Sequence, residues 1–239
     1  RARAAERSTA SLTPDLTIKI LGLAAIFGIW RLQEIIPGAS PLKLPMLTLV
    51  LGMVTFFASR PMSALSAVVK HRSIQLVLAI AVLSLLSGPF ALVRGYSLIF
   101  VLLDFTPTLL LCVFIAAAIR SESDARWLLA AITVGGVIFC LYSRANAHTD
   151  RAGRPTGIIF YDANDLALLA STTAAVALGL AHTTRQTLMR FAWLASAGVL
   201  LISVLWTVSR GAFLALSITA LYLMISPVMP AAKRTAVLA

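Results

Sequence analysis

Eight apolar stretches, each close to the length that carries an α-helix across a bilayer, dominate this 239-residue chain. About 20 residues rising 1.5 Å each cover roughly 30 Å of hydrocarbon. The stretches fall near 16–36, 42–59, 74–93, 96–119, 127–143, 165–181, 191–207 and 212–229. Proline and glycine punctuate the joins at Pro37-Gly38, Pro41, Pro61, Gly88-Pro89 and Gly95. The expected fold is all-α: a polytopic membrane protein with about eight transmembrane helices in a single domain over residues 1–239. The chain begins without Met and stops soon after an apolar run, so it reads as the N-terminal part of a longer chain.

Composition agrees. With 59% hydrophobic residues, 12% charged ones and a mean hydropathy of +0.93, a water-soluble domain is excluded. The net charge of +11 would suggest nucleic acid in a soluble domain, but the basic residues sit in short loops between apolar runs and form no stripe. No nucleic-acid partner is expected, and membrane lipids are. Cys112 and Cys140 lie inside apolar runs and offer neither a disulfide framework nor a metal-ligand spacing. No metal or cofactor is expected.

Lysine and arginine set the orientation. The N-terminus and every second loop hold Arg1, Arg3, Arg7, Arg60, Lys70, Arg72, Arg120, Arg126, Arg185, Arg190, Lys233 and Arg234, twelve in all. The opposite side holds seven: Arg31, Lys43, Arg94, Arg144, Arg151, Arg154 and Arg210. The excess predicts a cytoplasmic N-terminus. Trp30 and Trp206 then fall at outward helix ends, and Trp127 and Trp193 at inward ones, as interfacial anchors. Between the second and third stretches, Met62, Leu65, Val68 and Val69 recur at helical spacing, which fits either a short interfacial helix or a solvated loop.

Two arginine-bearing motifs interrupt the apolar pattern: Arg154-Pro-Thr-Gly157 with Asp162-Ala-Asn164 after it, and Ser209-Arg210-Gly211-Ala212. On this topology both face outward. A guanidinium near lipid is costly without an anionic partner. Pro155 biases Arg154 toward an extended backbone, and Gly153 and Gly157 allow tight turns. Asp162, Asn164 and Asp165 stand where the sixth helix begins, so each suits either capping or ligand binding. Arg154 has a salt bridge to Asp150 or Asp162 as its simpler reading, and Arg210 has snorkelling beside Trp206.

Arg-x-x-Gly, a tripeptide ending in Asn, an apolar helix and then Ser-Arg-Gly-Ala resemble the O-antigen ligase and O-antigen polymerase superfamily, in motif detail over about residues 140–215. Those proteins commonly place Pro before the Asn, where this chain has Ala163. The resemblance implies a metal-independent glycosyltransferase of the bacterial inner membrane. Such an enzyme moves a glycan from a polyprenyl diphosphate carrier to a lipid or glycan acceptor on the outer side. Arg154, Arg210 and Asn164 are then the substrate-binding residues, with the two guanidinium forks neutralising charge that builds on the diphosphate. It also implies a general-base histidine in a large later loop, outside this chain. His71 and His182 are expected on the cytoplasmic side, and His148 lies in the outward loop but off the motif. The alternative is a secondary transporter of a small anion. Asp104, in Leu103-Asp-Phe-Thr-Pro107, marks either a cation route or a packing pair, for which Arg94 lies at suitable depth.

Overall fold

The computed structural model describes residues 15–36, 38–91, 94–146, 148–149, 155–156 and 162–225. The chain divides into two compact units, Arg1–Gly135 and Gly136–Ala239, with the boundary inside one long helix. The described residues form helices joined by short turns, together with one minimal β-ribbon.

In the first unit α1 spans Leu16–Trp30. Asp15 caps it, its carboxylate accepting from the Thr17 N–H at 3.4 Å. Arg31 stops it in a left-handed conformation, φ 47°. After two 3-10 turns, Leu32–Glu34 and Ser40–Leu42, α2 (Leu44–Ser59) starts with Pro45 in its first turn, where a missing N–H costs nothing. Thr17 Oγ1 and Ser59 Oγ lie 3.2 Å apart, and Arg60 donates to the Asp15 carboxylate at 2.6 Å, so the start of α1 is fastened to the end of α2. The chain then turns through 114° into α3, Met62–Val69. Of the two readings of that segment, the helix is the one observed, with Leu65 and Val68 packed on the core.

Next come α4 (Arg72–Ser87), α5 (Arg94–Phe100), a π turn at Val101–Phe105, α6 (Thr106–Ala118) and α7 (Glu122–Ala145). The π turn leaves α5 and α6 one continuous helix from Gly95 to Ala118. Ser121 and Asp124 form a reciprocal cap at the start of α7: the Asp124 N–H donates to Ser121 Oγ, and the Asp124 carboxylate accepts from the Ser121 N–H, each at 3.1 Å.

The core of this unit joins Ile18, Leu21 and Ala24 of α1 to Leu49 and Phe56 of α2 and Phe114, Ala117 and Ala118 of α6. Phe56 and Phe114 meet edge-on with centroids 5.1 Å apart. Lipid tails are as apolar as leucine, so close packing rather than exclusion of water holds such helices together. Two glycines provide it. A Cβ at Gly52 would press on Leu21 Cδ2 at 2.5 Å, and one at Gly22 would overlap the Trp127 ring. Gly22→Ala is therefore expected to lower the melting temperature, because overpacking costs about 1–3 kcal/mol against the ~1 kcal/mol that alanine returns in helix propensity. Gly28→Ala is the control, since its new methyl would meet only Leu111 at 3.9 Å. Equal melting curves for the two variants in detergent would discount the close approach.

Helices occur in all eight expected stretches. Among the described residues, five helices are long and apolar enough to cross a bilayer: Arg72–Phe90, Gly95–Ala118, Glu122–Ala145, Ala163–Thr183 and Thr187–Trp206. A sixth results if α2 and α3 form one bent span. The first expected stretch gives a helix of only 15 residues, because the left-handed Arg31 ends it well before Ile36. The protein is thus a multi-pass helical membrane protein. Trp30 differs from its expected interfacial role: it is fully buried, and its indole N–H donates to the Ile132 carbonyl at 3.0 Å.

The second unit contains the end of α7, β1 (His148–Thr149), β2 (Pro155–Thr156), α8 (Ala163–Thr183), α9 (Thr187–Trp206) and α10 (Arg210–Ile225). The strands pair antiparallel, His148 opposite Thr156 and Thr149 opposite Pro155. Along α8 the buried alanines 163, 167, 170, 174, 177 and 181 recur every three or four residues, which makes one smooth seam. Alanine at each step lets a neighbouring backbone approach closely, and α9 packs along α8 with Ala197, Leu200 and Val204 buried.

Candidate functional site

The seam brings the start of α8 beside the turn that joins α9 to α10. Asp162 is the N-cap of α8: its Oδ1 accepts from the Asn164 N–H at 2.7 Å and the Asp165 N–H at 2.8 Å. Of the two roles open to Asp162, capping is the one seen. The cap turns the Asn164 side chain outward, where its Oδ1 accepts a hydrogen bond from Ser209 Oγ at 2.9 Å. The two motifs, 45 residues apart, therefore touch.

Ser209 does two things at once. Its hydroxyl donates to Asn164 and also accepts from the Ala212 N–H at 3.3 Å, so it caps α10 while anchoring that end to α8. Thr207, fully buried, braces the turn: its hydroxyl donates to the Val204 carbonyl at 2.7 Å and accepts from the Ser209 N–H at 3.4 Å. Between them Val208 has φ 52°. A β-branched residue rarely adopts that conformation, which costs on the order of 1–3 kcal/mol and persists only where the surroundings enforce it. The bracing hydrogen bonds on either side provide that enforcement.

This turn places Arg210 in the first position of α10, exposed, with no ion pair to any described residue. The position is electrostatically unfavourable for a bare cation, since a helix N-terminus already carries partial positive charge. An anion reverses the balance, meeting the guanidinium and the free N–H groups of the first turn together. Beside Arg210 lies an apolar cavity of about 520 Å³ lined by Leu205, Val208, Phe213 and Leu214. A cationic head position next to an apolar trough suits an amphiphile with an anionic end.

Of the expected binding residues, Asn164 and Arg210 thus belong to one site, while Arg154, with Asp150, lies outside the described residues. His148 is in β1. His182 stands near the far end of α8, 18 positions from Asn164, or about 27 Å along the helix axis, and does not belong to this site. Ala163, where the resembled family commonly has Pro, is fully buried in the seam, so a small residue is what the packing there requires. Ser209 stands within a motif that the sequence singles out, but its part in the site, like that of Thr207, emerges only in the structure. The signal for Ser209 was present, a serine directly before an apolar helix, whereas the strain at Val208 leaves no trace in residue type.

No protein-family model, curated protein or solved structure matches this chain.

Proposed function

We propose that the second unit binds the diphosphate of a polyprenyl-linked glycan, and that the protein is a lipid-donor glycan transferase like the O-antigen ligases and polymerases. The observation that carries this reading is the Ser209–Asn164 hydrogen bond. It fixes the turn that holds Arg210 at the head of α10 beside an apolar trough. A diphosphate gathers charge as the glycosidic bond breaks, and a preorganised guanidinium with helix N–H groups stabilises that charge without reorganising. The trough accommodates the first isoprene units.

We propose further that the protein lies in the bacterial inner membrane with eight spans and a cytoplasmic N-terminus. The twelve-to-seven excess of basic residues on the N-terminal side supports that orientation. It puts Arg210, Asn164 and Arg154 on the outer side, where a flipped lipid-linked glycan is available. Arg154 is the second guanidinium of the clamp, and the base that activates the acceptor comes from elsewhere.

Binding tests the reading directly. The purified chain in detergent with a chelator present is titrated with polyprenyl diphosphate, polyprenyl monophosphate and polyprenol. Affinity is expected to fall in that order, about ten-fold from diphosphate to monophosphate, the worth of one charge-assisted hydrogen bond. Equal affinity for diphosphate and polyprenol would sink the assignment.

A further inference from the structure

One end of the first unit gathers polar residues from several helices. Asp15 caps α1 and pairs with Arg60 at 2.6 Å, where α2 ends. Asp124, at the head of α7, accepts from the Arg120 and Ser121 N–H groups just past α6, each at 3.1 Å, and from the Asp15 N–H. Glu122 pairs with Arg126 at 3.0 Å. The three acids at this end are thus engaged within the chain. Several cations are not: Lys70, Arg72 and Arg120 are exposed and have no ion pair with a described residue. His71, exposed as well, stands between the first two, so the positive surplus is densest at the turn from α3 to α4.

The helix leading into that turn is built to lie along a bilayer surface. Its axis is bent 114° from that of α2, too sharply for the two to pass through a bilayer as one straight span. Helical spacing gives α3 three faces. Ala64, Leu65 and Val68 pack on the core. Met62 and Val69, seven positions apart and 63% and 39% exposed, form an apolar flank beside them. Ser63, Ser66 and Lys70 occupy the third face, all exposed. In water the apolar flank stays uncovered, and in hydrocarbon Lys70 and Arg72 lose their hydration. Only the boundary between head groups and acyl chains satisfies both.

We propose that this elbow, from Met62 to Arg72, docks on anionic phospholipid, with Lys70 and Arg72 at the head-group phosphates and Met62 and Val69 among the acyl chains. Charge complementarity names the occupant. A choline lipid brings a phosphate already balanced by its own cation, whereas the phosphate of a glycerol lipid is uncompensated and attracts each basic side chain near it. An acidic soluble protein would meet the cations but would compete with lipid for the apolar flank. The inference rests on the first unit alone and does not depend on the diphosphate reading.

The test puts a photoreactive diazirine analogue of leucine in place of Val69 in the full chain. Nanodiscs contain equal parts phosphatidylglycerol and phosphatidylcholine with identical acyl chains, and cross-linked lipids are counted by mass spectrometry. Each basic residue at such a surface is worth about a five-fold preference, so the glycerol lipid is expected to be captured about ten-fold or more over the choline lipid. The same probe in place of Leu83, 64% exposed farther along α4, is expected to capture the two about equally. Lys70→Gln combined with Arg72→Gln is expected to bring capture at position 69 to within about two-fold of equality, with the melting temperature unchanged because both side chains are exposed. Equal capture of the two lipids at position 69, the same glycerol-lipid preference at positions 69 and 83, or a preference that survives the double substitution would each overturn the proposal. So would the absence of any lipid product at position 69, which would put the elbow in water or against a protein. Should the double variant fail to fold, the contrast between positions 69 and 83 decides alone.

Discussion

Replacing Arg210 with lysine in the intact protein is expected to lower glycan transfer roughly ten-fold to more than a hundred-fold at matched expression, and Arg154→Lys to do the same. Each change keeps one positive charge but removes the planar fork. A lost charge-assisted hydrogen bond of about 1.5–3 kcal/mol corresponds to that range in rate. The structure sharpens the expectation for Arg210. Lysine at the first position of α10 would still bring a cation to the positive end of the helix, yet would grip only one phosphate oxygen. A snorkelling anchor predicts the reverse, since lysine reaches the interface as well as arginine does. Near-normal transfer by both variants defeats the diphosphate clamp, and a loss confined to Arg154→Lys leaves Arg210 as an anchor.

What the sequence made legible follows from what each signal measures. Apolar runs report helices reliably because a spanning helix must be apolar along its whole length, and each of the eight stretches holds one. Ends are a different matter. The first run continues in composition to Ile36, but the helix stops at Trp30 because Arg31 turns left-handed, a backbone event that residue type does not announce. Trp30 was misplaced for a related reason. Tryptophan near a span end suits an interface or a buried N–H donor, and only the Ile132 carbonyl 3.0 Å away decides between them. The cap Ser121-Glu-Ser-Asp124 and the alanine repeat of α8 were both written in the sequence at the proper spacing. The repeat matters to the site, because it sets α8 where Asn164 meets Ser209. That meeting was not legible, since two motifs 45 residues apart become neighbours only through helix packing.

Ser209→Ala is expected to be the most destabilising single change among the described residues of the site. It removes the cap of α10, worth about 0.5–2 kcal/mol, together with the hydrogen bond to Asn164, worth about 1 kcal/mol. Stability measured by thermal or chaotrope unfolding in detergent should fall by about 1–3 kcal/mol. Asn164→Ala removes only the second contribution and should cost about 1 kcal/mol, because Asp162 still caps α8 through backbone N–H groups at 164 and 165. The double variant should then be no worse than Ser209→Ala alone to within a few tenths of a kcal/mol, since the bond can be broken only once. Diphosphate affinity should follow the same order, because freeing the turn lets the strained Val208 relax and takes Arg210 out of alignment with the first-turn N–H groups. Threonine at 209 restores cap and bond and should recover both readouts. Additive losses in the double variant would mean that the Ser209–Asn164 contact does not couple the two motifs, and Arg210 would then need another support.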